Sequence, residues 1–369
     1  MNVVVTGGGT AGHVFPALAT ATVLRDEHDA TVTFVGGKDG QEARLAPDAG
    51  FPFVGLEVAS AQSRLSLHTL HAVRLAMRGS RACRGLVSSA DVVVSIGGFA
   101  SAPAVLAARR TRRPVVLIEP NSVPGLVNKV AARWADVVAT TFEATALRLP
   151  ATARIERTGN PIRPEIVVVP AHRERLRAEA CAAWDLDPDR STVLVVGGSQ
   201  GARHVDEVLA ESLPSMAHRA DLQLLVSTGP NHLAIVTEAV AGRAALRVCA
   251  VGFIERMDRA LAVADLAVAR AGASVAELTA CGLPTILVPY PYATENHQEA
   301  NARELVAAGA SRLLLDRDLS PSALSAGILE LVDDRTARAA MAASAIAWAR
   351  PNAADRIARL ALEVAEARG

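Results

Sequence analysis

The amino-acid sequence predicts an α/β protein made of two doubly wound parallel-sheet domains. Two glycine-rich segments carry much of this prediction, because each one includes a β-branched run followed directly by glycines, at 3–12 and at 192–202. Short apolar runs alternate with longer helical stretches in both halves, which is the pattern of parallel strands joined by crossover helices. At 369 residues the chain is long enough for two such domains.

The first glycine-rich segment combines a buried strand with a loop that opens a helix. Residues 3–5 are three valines, which suit a parallel strand buried on both faces. The glycines in 7–12 let the backbone turn sharply, and the helix expected from near His13 points its free N–H groups at this loop. The segment matches G-x-G-x-x-G, but the second strand, predicted at 31–35, ends without the carboxylate that a dinucleotide ribose requires. We therefore expect a loop suited to anions but no NAD site.

The N-terminal half continues its alternation of strands and helices up to a break near residue 160. Three further strands are predicted, at 91–95, 114–118 and 137–140. Two prolines and a glycine then bracket Arg163, which indicates a domain boundary. The expected domains are 1–162 and 163–349, and a C-terminal helix at 350–369 is expected to return to the first domain.

The C-terminal half repeats this plan, so both halves are expected to be Rossmann-like and to face a cleft. After the second glycine loop, strands are predicted at 222–227, 246–250, 265–269, 284–288 and 311–315. Ligands bind at the carboxyl ends of parallel strands. The polar residues predicted there are His13, Asn121, Ser199, Gln200, Glu277 and Gln298. Such a cleft suits a nucleotide sugar, because a diphosphate lies over a helix N-terminus and a carboxylate takes the ribose hydroxyls.

Composition argues against several function classes. Basic and acidic residues balance at 38 each, so no global charge favours nucleic acid. The four cysteines are scattered without a CxxC pair, which argues against a zinc site or a disulfide framework and fits a reducing cytosol. No apolar run approaches 18 residues and the chain starts directly with a strand, so we expect neither a membrane span nor a signal peptide.

Four motifs stand in order along the chain. They are Gly7-Gly8-Gly9-Thr10-Ala11-Gly12-His13, Gly159-Asn160-Pro161-Ile162-Arg163, Gly197-Gly198-Ser199-Gln200-Gly201-Ala202, and Gly272-Ala273 followed by Glu277. Together they resemble the MurG family of GT-B glycosyltransferases, and the resemblance covers nearly the whole chain. It implies transfer of N-acetylglucosamine (GlcNAc) from UDP-GlcNAc to lipid I at the cytoplasmic face of the membrane, for peptidoglycan synthesis. It further implies a single displacement that inverts the anomeric centre, with neither a metal nor another cofactor.

The resemblance also implies roles for individual residues. Thr10, Ala11 and Gly12 line the loop near the acceptor and the donor sugar. The implied donor contacts are Asn121 with the transferred sugar, Arg163 and Ser199 with UDP, Ile254 with uracil, Ala273, Ser274 and Glu277 with diphosphate and ribose, and Gln298 with the GlcNAc hydroxyls. Gln200 belongs to the same glycine loop as Ser199 and is a further candidate for substrate binding.

Transfer to the acceptor C4 hydroxyl needs a base, for which there are two candidates. His13 is expected at a helix N-terminus, which disfavours the charged imidazolium, so a neutral imidazole is ready to take the proton. Glu119, at the end of a predicted strand, is the alternative. The helix that begins after Gly201, together with Arg163, supplies positive potential for the departing diphosphate without a metal.

Two departures from the family pattern leave other functions open. Only residues 274–276 separate Ala273 from Glu277, where the family usually has one residue more, and Pro120 stands where the family commonly has Gln. A related glycosyltransferase with a different acceptor is one alternative. A UDP-GlcNAc 2-epimerase, which shares the two-domain architecture, is a second, and a non-catalytic nucleotide-sugar-binding subunit is a third.

A long basic helix predicted at 64–87 suggests how the chain reaches a lipid substrate. Its cations fall within one arc of the helix and are Arg64, His68, His71, Arg74, Arg78 and Arg81. The residues expected to pack on the sheet from the opposite side are Leu65, Leu70, Val73, Ala76, Met77 and Val87. Because a cationic face matches interfacial binding, this helix is expected to dock on anionic lipid of the inner leaflet as a peripheral membrane contact.

Overall fold

The computed structural model describes residues 1–59, 67–198, 201–240 and 245–368. The chain divides into two compact units. Unit 1 consists of Met1–Arg163 together with Arg350–Gly369, and unit 2 consists of Pro164–Ala349. Arg163 is therefore the last residue of the first segment of unit 1, one residue beyond the end of the first domain expected from the sequence.

Unit 1 contains a sheet of seven parallel strands. They are β1 (Asn2–Thr6), β2 (Thr31–Gly37), β3 (Phe53–Leu56), β4 (Val92–Ser95), β5 (Val115–Glu119), β6 (Val137–Thr140) and β7 (Ile155–Arg157). Their order in the sheet is β3-β2-β1-β4-β5-β6-β7. Val3 of β1 pairs with Val32 on one side and with Val92 on the other. The order reverses at β1 and β4, which makes the sheet doubly wound, as predicted.

Helices cover both faces of this sheet because alternate strand residues face opposite ways. The helices of unit 1 before the boundary are α1 (Ala11–His28), α2 (Glu42–Asp48), α3 (Leu67–Ala82), α4 (Arg84–Ser89), α5 (Ala102–Thr111) and α6 (Leu126–Ala131). Val3 and Val5 belong to one buried cluster, with Leu24 of α1. Val4 belongs to the cluster on the opposite face, with Val105 of α5.

Unit 2 repeats this architecture with six parallel strands in the order β10-β9-β8-β11-β12-β13. The strands are β8 (Ser191–Val196), β9 (Leu222–Ser227), β10 (Arg247–Val251), β11 (Leu266–Ala269), β12 (Thr285–Leu287) and β13 (Arg312–Leu313). The helices are α7 (Pro164–Val167), α8 (Arg173–Trp184), α9 (Arg203–Met216), α10 (Leu233–Val240), α11 (Met257–Val263), α12 (Val275–Ala280), α13 (His297–Ala307), α14 (Pro321–Asp333) and α15 (Arg335–Trp348). Val193 and Val195 of β8 pack with Leu213 of α9 and Ile328 of α14 in the buried core.

The last helix, α16 (Ala353–Glu366), belongs to unit 1. Its apolar stripe includes Ile357, Leu360 and Val364, which join the buried cluster that holds Val3 and Leu24. Burial of this stripe explains why the chain returns to its first unit after completing the second.

The basic helix differs from its prediction in extent and in packing. Residues 60–66 lie outside the described residues, and α3 ends at Ala82, with α4 beginning after the buried Cys83. The prediction that Leu70, Val73 and Met77 pack on the sheet is wrong, since they are 59%, 48% and 37% exposed.

Small residues replace the predicted apolar face of α3. Ala72 and Ser80 are buried, and a Cβ added to Gly79 would lie 3.1 Å from the Pro103 side chain of α5. Close approach of α3 to α5 thus uses residues without bulk, which a hydrophobicity pattern does not detect. No described helix combines the length and the apolarity that a membrane crossing requires.

Candidate active site

In unit 1, two glycine loops meet at the carboxyl ends of β1 and β4. Gly9 has φ +87° and Gly98 has φ +74°, values that L side chains rarely adopt. A Cβ added to Gly98 would lie 2.9 Å from the Gly8 carbonyl oxygen, and one added to Gly9 would lie 2.8 Å from the Phe99 ring. The two loops therefore approach each other closely only because these positions lack side chains.

His13 lies at this meeting point. Ala11 and Gly12 open α1, and His13 follows in its first turn, half-buried. The hydroxyl oxygen of exposed Thr10 lies 2.9 Å from His13 Nδ1, and the ring carbon Cδ2 lies 3.7 Å from a Cβ position built on Gly98. If Nδ1 carries the ring proton, it donates to the Thr10 hydroxyl oxygen and the lone pair then resides on Nε2.

Glu119 is fully buried at the end of β5 and accepts hydrogen bonds from the following loop and from α6. Oε1 accepts from the Asn121 N–H at 3.0 Å, and Oε2 accepts from Gly125 N–H at 3.0 Å and Asn128 Nδ2 at 2.9 Å. Burial raises the pKa of Glu119 to about 7 despite these hydrogen bonds, which by themselves lower it. Both oxygens of this carboxyl group therefore hold the loop that carries Asn121.

Arg163, the implied UDP ligand, is the last residue of the first segment of unit 1. Its guanidinium carbon lies 5.0 Å from the centroid of the Phe15 ring on α1, a distance that allows a cation–π contact. The structure thus brings Arg163, Thr10, His13, Asn121 and Glu119 into unit 1. Ile254, Ala273, Ser274, Glu277 and Gln298 belong to unit 2.

The second glycine loop connects β8 to α9. Ser199 and Gln200, predicted here as substrate ligands, lie outside the described residues. Gly201 has φ +76°, and a Cβ there would lie only 2.1 Å from the Thr228 carbonyl oxygen. A residue with a side chain at 201 is therefore excluded by both backbone conformation and space.

A titratable pair, half-buried His232 and buried Asp206, lies beside this second loop. His232 Nδ1 lies 3.3 Å from Oδ2 of Asp206, which is in the first turn of α9. Burial raises the pKa of Asp206 to about 6, while the charge of His232 opposes this rise. Within the described ranges, no group of three or more His, Cys, Asp or Glu side chains is suited to hold a metal ion.

Two buried residues that the sequence analysis did not single out hold the loop before α12. Arg270 donates from Nη1 to the carbonyl oxygens of Val288 and Pro289, both at 3.1 Å, and to the Asp316 carboxylate. Asn301 Nδ2 donates to the Ala271 carbonyl at 3.0 Å. Ala273 and Ser274 follow in this loop, and Glu277 lies half-buried in the first turn of α12. A buried arginine in an apolar segment is the signal that points to Arg270.

Gln298 lies beside this loop, in the first turn of α13. Its Oε1 accepts from the Tyr290 N–H at 2.9 Å, and its Nε2 lies 3.6 Å from a Cβ position built on Gly272. The amide group thus turns its donor side towards the glycine. Glu295 and Asn296 just before it have φ +51° and +53°, conformations that non-glycine residues adopt at a cost.

Ile254 follows β10 and is buried, while the neighbouring Phe253 is exposed. Because the Ile254 side chain is buried, its backbone groups are the atoms available for contact with a nucleobase. The strands of unit 2 are parallel, so the loops after β8, β10, β11 and β12 all leave from the same carboxyl edge of the sheet.

Comparison with known proteins identifies the class to which this fold and these loops belong. Residues 3–140 match the glycosyltransferase family 28 N-terminal domain, and residues 192–357 match the family 28 C-terminal domain. A Nocardioides protein named UDP-N-acetylglucosamine–N-acetylmuramyl-(pentapeptide) pyrophosphoryl-undecaprenol N-acetylglucosamine transferase is 40% identical over 369 residues, covering 99% of this chain and 98% of its own. These matches define a glycosyltransferase.

Solved structures agree with this class. The crystal structure of Acinetobacter baumannii MurG matches with a TM-score of 0.78 and 28% identity, over 98% of this chain and 99% of that one. A Listeria monocytogenes structure described as a putative UDP-N-acetylglucosamine 2-epimerase matches with a TM-score of 0.69 at 15% identity, over 100% and 97%, which shows the shared fold alone. The chain belongs to the MurG family of GT-B glycosyltransferases.

Proposed function

We propose that this chain transfers GlcNAc from UDP-GlcNAc to the C4 hydroxyl of the N-acetylmuramic acid (MurNAc) in lipid I, forming lipid II. The observation that carries the proposal is 40% identity, over nearly the full length of both chains, to a protein whose name states this donor and a lipid-linked MurNAc-pentapeptide acceptor. The reaction is a single inverting displacement that requires no metal. The acceptor oxygen attacks the anomeric carbon, the bond to UDP breaks, and the hydroxyl proton passes to a base.

His13 of unit 1 is that base. It lies in the first turn of α1, where the helix N-terminus disfavours an imidazolium before reaction. With Nδ1–H donating to the Thr10 hydroxyl, 2.9 Å away, the lone pair on Nε2 accepts the C4 proton. Glu119, the alternative base, is buried and holds its own loop through donors from Asn121, Gly125 and Asn128, which supports a positioning role instead.

Unit 2 binds the donor. Glu277 takes the ribose hydroxyls, Ala273 and Ser274 cover the diphosphate, and backbone groups at Ile254 contact uracil. Gln298 binds GlcNAc hydroxyls through Nε2, because its Oε1 is already engaged with the Tyr290 N–H. The buried Arg270 and Asn301 keep this loop in shape.

The departing UDP needs positive potential, since its diphosphate gains charge when the glycosidic bond breaks. The N-terminus of α9 and Arg163 supply this potential, while Ser199 and Gln200 are candidate substrate ligands. Asn121 contacts the transferred sugar. None of these groups requires a metal ion for its role.

Unit 1 also reaches the lipid-linked acceptor at the cytoplasmic face of the membrane. The exposed surface of α3 presents Leu70, Val73 and Met77 beside the cations Arg74, Arg78 and Arg81. Apolar side chains among cations suit insertion into an anionic interface. The chain is accordingly a peripheral protein of the inner leaflet, and its balanced charge does not favour nucleic acid.

A transfer assay tests this function. The purified chain is incubated with UDP-GlcNAc and a short-chain lipid I analogue, with and without EDTA, while UDP release and the disaccharide product are measured. We expect equal product in both conditions and a 10²- to 10⁴-fold loss in His13→Ala, the range for a missing general base. His28→Ala, at the other end of α1, is the matched control and keeps full turnover.

The same assay exposes each competing function. Formation of UDP-ManNAc without acceptor would identify an epimerase, and release of UDP only with a different acceptor would identify another glycosyltransferase. Loss of product with EDTA would overturn the metal-free reaction.

A further inference from the structure

Glu42 is a buried carboxylate that no step of the proposed reaction uses. It is the first residue of α2 and only 1% exposed. Its Oε2 accepts from the Gly9 N–H at 3.1 Å, and its Oε1 accepts from the Gly37 N–H at 2.9 Å. Glu42 stands 33 residues after Gly9 in the sequence. Its carboxylate therefore connects the loop after β1 to the end of β2.

Four glycines surround this carboxylate. A Cβ added to Gly8 would lie 2.0 Å from Oε1, one on Gly40 would lie 2.3 Å from Oε2, and one on Gly36 would lie 2.6 Å from Cγ. A Cβ on Gly37 would lie 3.1 Å from Oε1. Glycine is needed at the first three positions because the chain's own carboxylate fills the space beside them.

The loop that Glu42 holds is the one that carries the proposed base. Gly9, whose N–H Glu42 accepts, adopts φ +87°, and the Phe99 ring closes the space beside its Cα. Thr10 follows directly, with its hydroxyl oxygen 2.9 Å from His13 Nδ1. Glu42 is thus linked to His13 in three steps. They are the hydrogen bond from the Gly9 N–H, the peptide bond from Gly9 to Thr10, and the hydrogen bond between Thr10 and His13.

A glycine loop before a helix ordinarily offers its N–H donors to a ligand anion. In this chain the Gly9 donor is already taken by a carboxylate. We propose that Glu42 is a positioning residue for transfer: it serves as a built-in anion of the first glycine loop and fixes Thr10 and His13 to receive an uncharged hydroxyl. This inference rests on the proposed function, because His13 must act as the base.

Glu42→Gln tests the role with little change in volume. The amide group keeps one accepting oxygen, but its NH₂ faces a backbone N–H, so one of the two anchoring bonds is lost. We expect kcat to fall about 10- to 100-fold, because small misplacement of a catalytic group is enough for such a loss. The KM for UDP-GlcNAc stays within about twofold, and amide exchange of a peptide spanning residues 7–13 becomes faster.

Asp48→Asn is the matched control, since Asp48 ends the same helix, is exposed and pairs with Arg44. This variant keeps the kcat and the exchange rate of the unmodified chain. If Glu42→Gln destabilised the whole fold instead, kcat and donor affinity would fall together, and amide exchange would become faster in unit 2 peptides as well.

A double-mutant cycle with His13→Ala separates positioning from general stability. If Glu42 acts through His13, Glu42→Gln costs less than about twofold in the His13→Ala background. Equal losses in both backgrounds, or a Glu42→Gln chain with unchanged kcat, would overturn the inference. If the unmodified chain makes no disaccharide, the proposed function fails, and unchanged exchange at residues 7–13 would then show that Glu42 does not hold the loop either.

Discussion

At the residue scale, the proposed donor site depends most on a single carboxylate, Glu277. A carboxylate that accepts from ribose hydroxyls makes charge-assisted hydrogen bonds, which contribute about 1.5–3 kcal/mol. We expect Glu277→Ala to weaken UDP binding by roughly 10- to 100-fold, measured by calorimetry on the folded variant. Glu330→Ala, an exposed change on α14, leaves affinity unaltered. Unchanged UDP affinity in Glu277→Ala would remove Glu277 from the donor site.

Buried Glu119 makes the stability of the chain depend on pH. Its pKa is raised from an ordinary carboxyl value to about 7 by burial, so between these values the folded chain binds more protons than the unfolded chain. The free energy of unfolding contributed by Glu119 is therefore fully present at acidic pH and is lost as pH rises through about 7. Its magnitude is on the order of 3 kcal/mol, at about 1.4 kcal/mol per pKa unit.

Glu119→Gln removes this dependence, since an amide does not titrate in this range. Calorimetric scans of unit 1 unfolding between pH 5 and pH 8 compare the variant with the unmodified chain. We expect the unmodified chain to lose more stability over this range than Glu119→Gln. Parallel curves would show that Glu119 is not the buried acid that the structure indicates. Asp206 titrates in both proteins and so does not affect the difference.

The residue scale also shows where sequence reasoning stops. Thr10 and His13 were identified from their motif, and their contact at 2.9 Å is consistent with that grouping. Arg270, Asn301 and Glu42 were not identified, because each acts through hydrogen bonds to backbone atoms distant in sequence. No spacing along the chain encodes such partners.

At the element scale, α3 carries the prediction for membrane docking. The variant Arg74→Glu/Arg78→Glu/Arg81→Glu reverses three charges, and each arginine near an anionic surface contributes about 1 kcal/mol. We expect binding to phosphatidylglycerol vesicles at low salt to fall more than tenfold in co-sedimentation. Replacing Leu70, Val73 and Met77 by Ser lowers binding at high salt too, where only the apolar contribution remains unscreened.

The control for charge is Arg44→Glu/Arg175→Glu/Arg335→Glu, which changes net charge equally at exposed positions on other helices. Equal vesicle binding by both triple variants would show that α3 is only a solvated face. The docking surface would then lie elsewhere in the chain.

Strand prediction was accurate where apolar runs end in a polar loop, as in β6 and β9. It failed for β7 (Ile155–Arg157), whose three residues are only half-buried and carry two charges. Helix prediction extended the basic helix beyond Ala82, because Cys83 and the small residues of α3 do not give a strong hydrophobic periodicity. Edge elements and close helix contacts are thus decided by tertiary packing that a hydrophobic pattern does not contain.

At the scale of the whole molecule, the doubly wound order of both sheets followed from strand–loop–helix alternation. The return of α16 to unit 1 was also foreseeable, because its stripe of Ile357, Leu360 and Val364 requires an apolar partner. The proposed division of labour between the two units is a matter of chemistry rather than fold, since a structure described as a putative UDP-N-acetylglucosamine 2-epimerase shares this architecture at 15% identity.

The central claim is a single displacement at the C4 hydroxyl of MurNAc, and the structure of the product tests it most directly. Disaccharide made from UDP-GlcNAc and a lipid I analogue is isolated, and its linkage and anomeric configuration are determined by two-dimensional NMR. Because UDP-GlcNAc is α-linked, one inverting step predicts a β-(1→4) bond between GlcNAc and MurNAc. An α-linked disaccharide, or a bond to any other hydroxyl, would contradict the account.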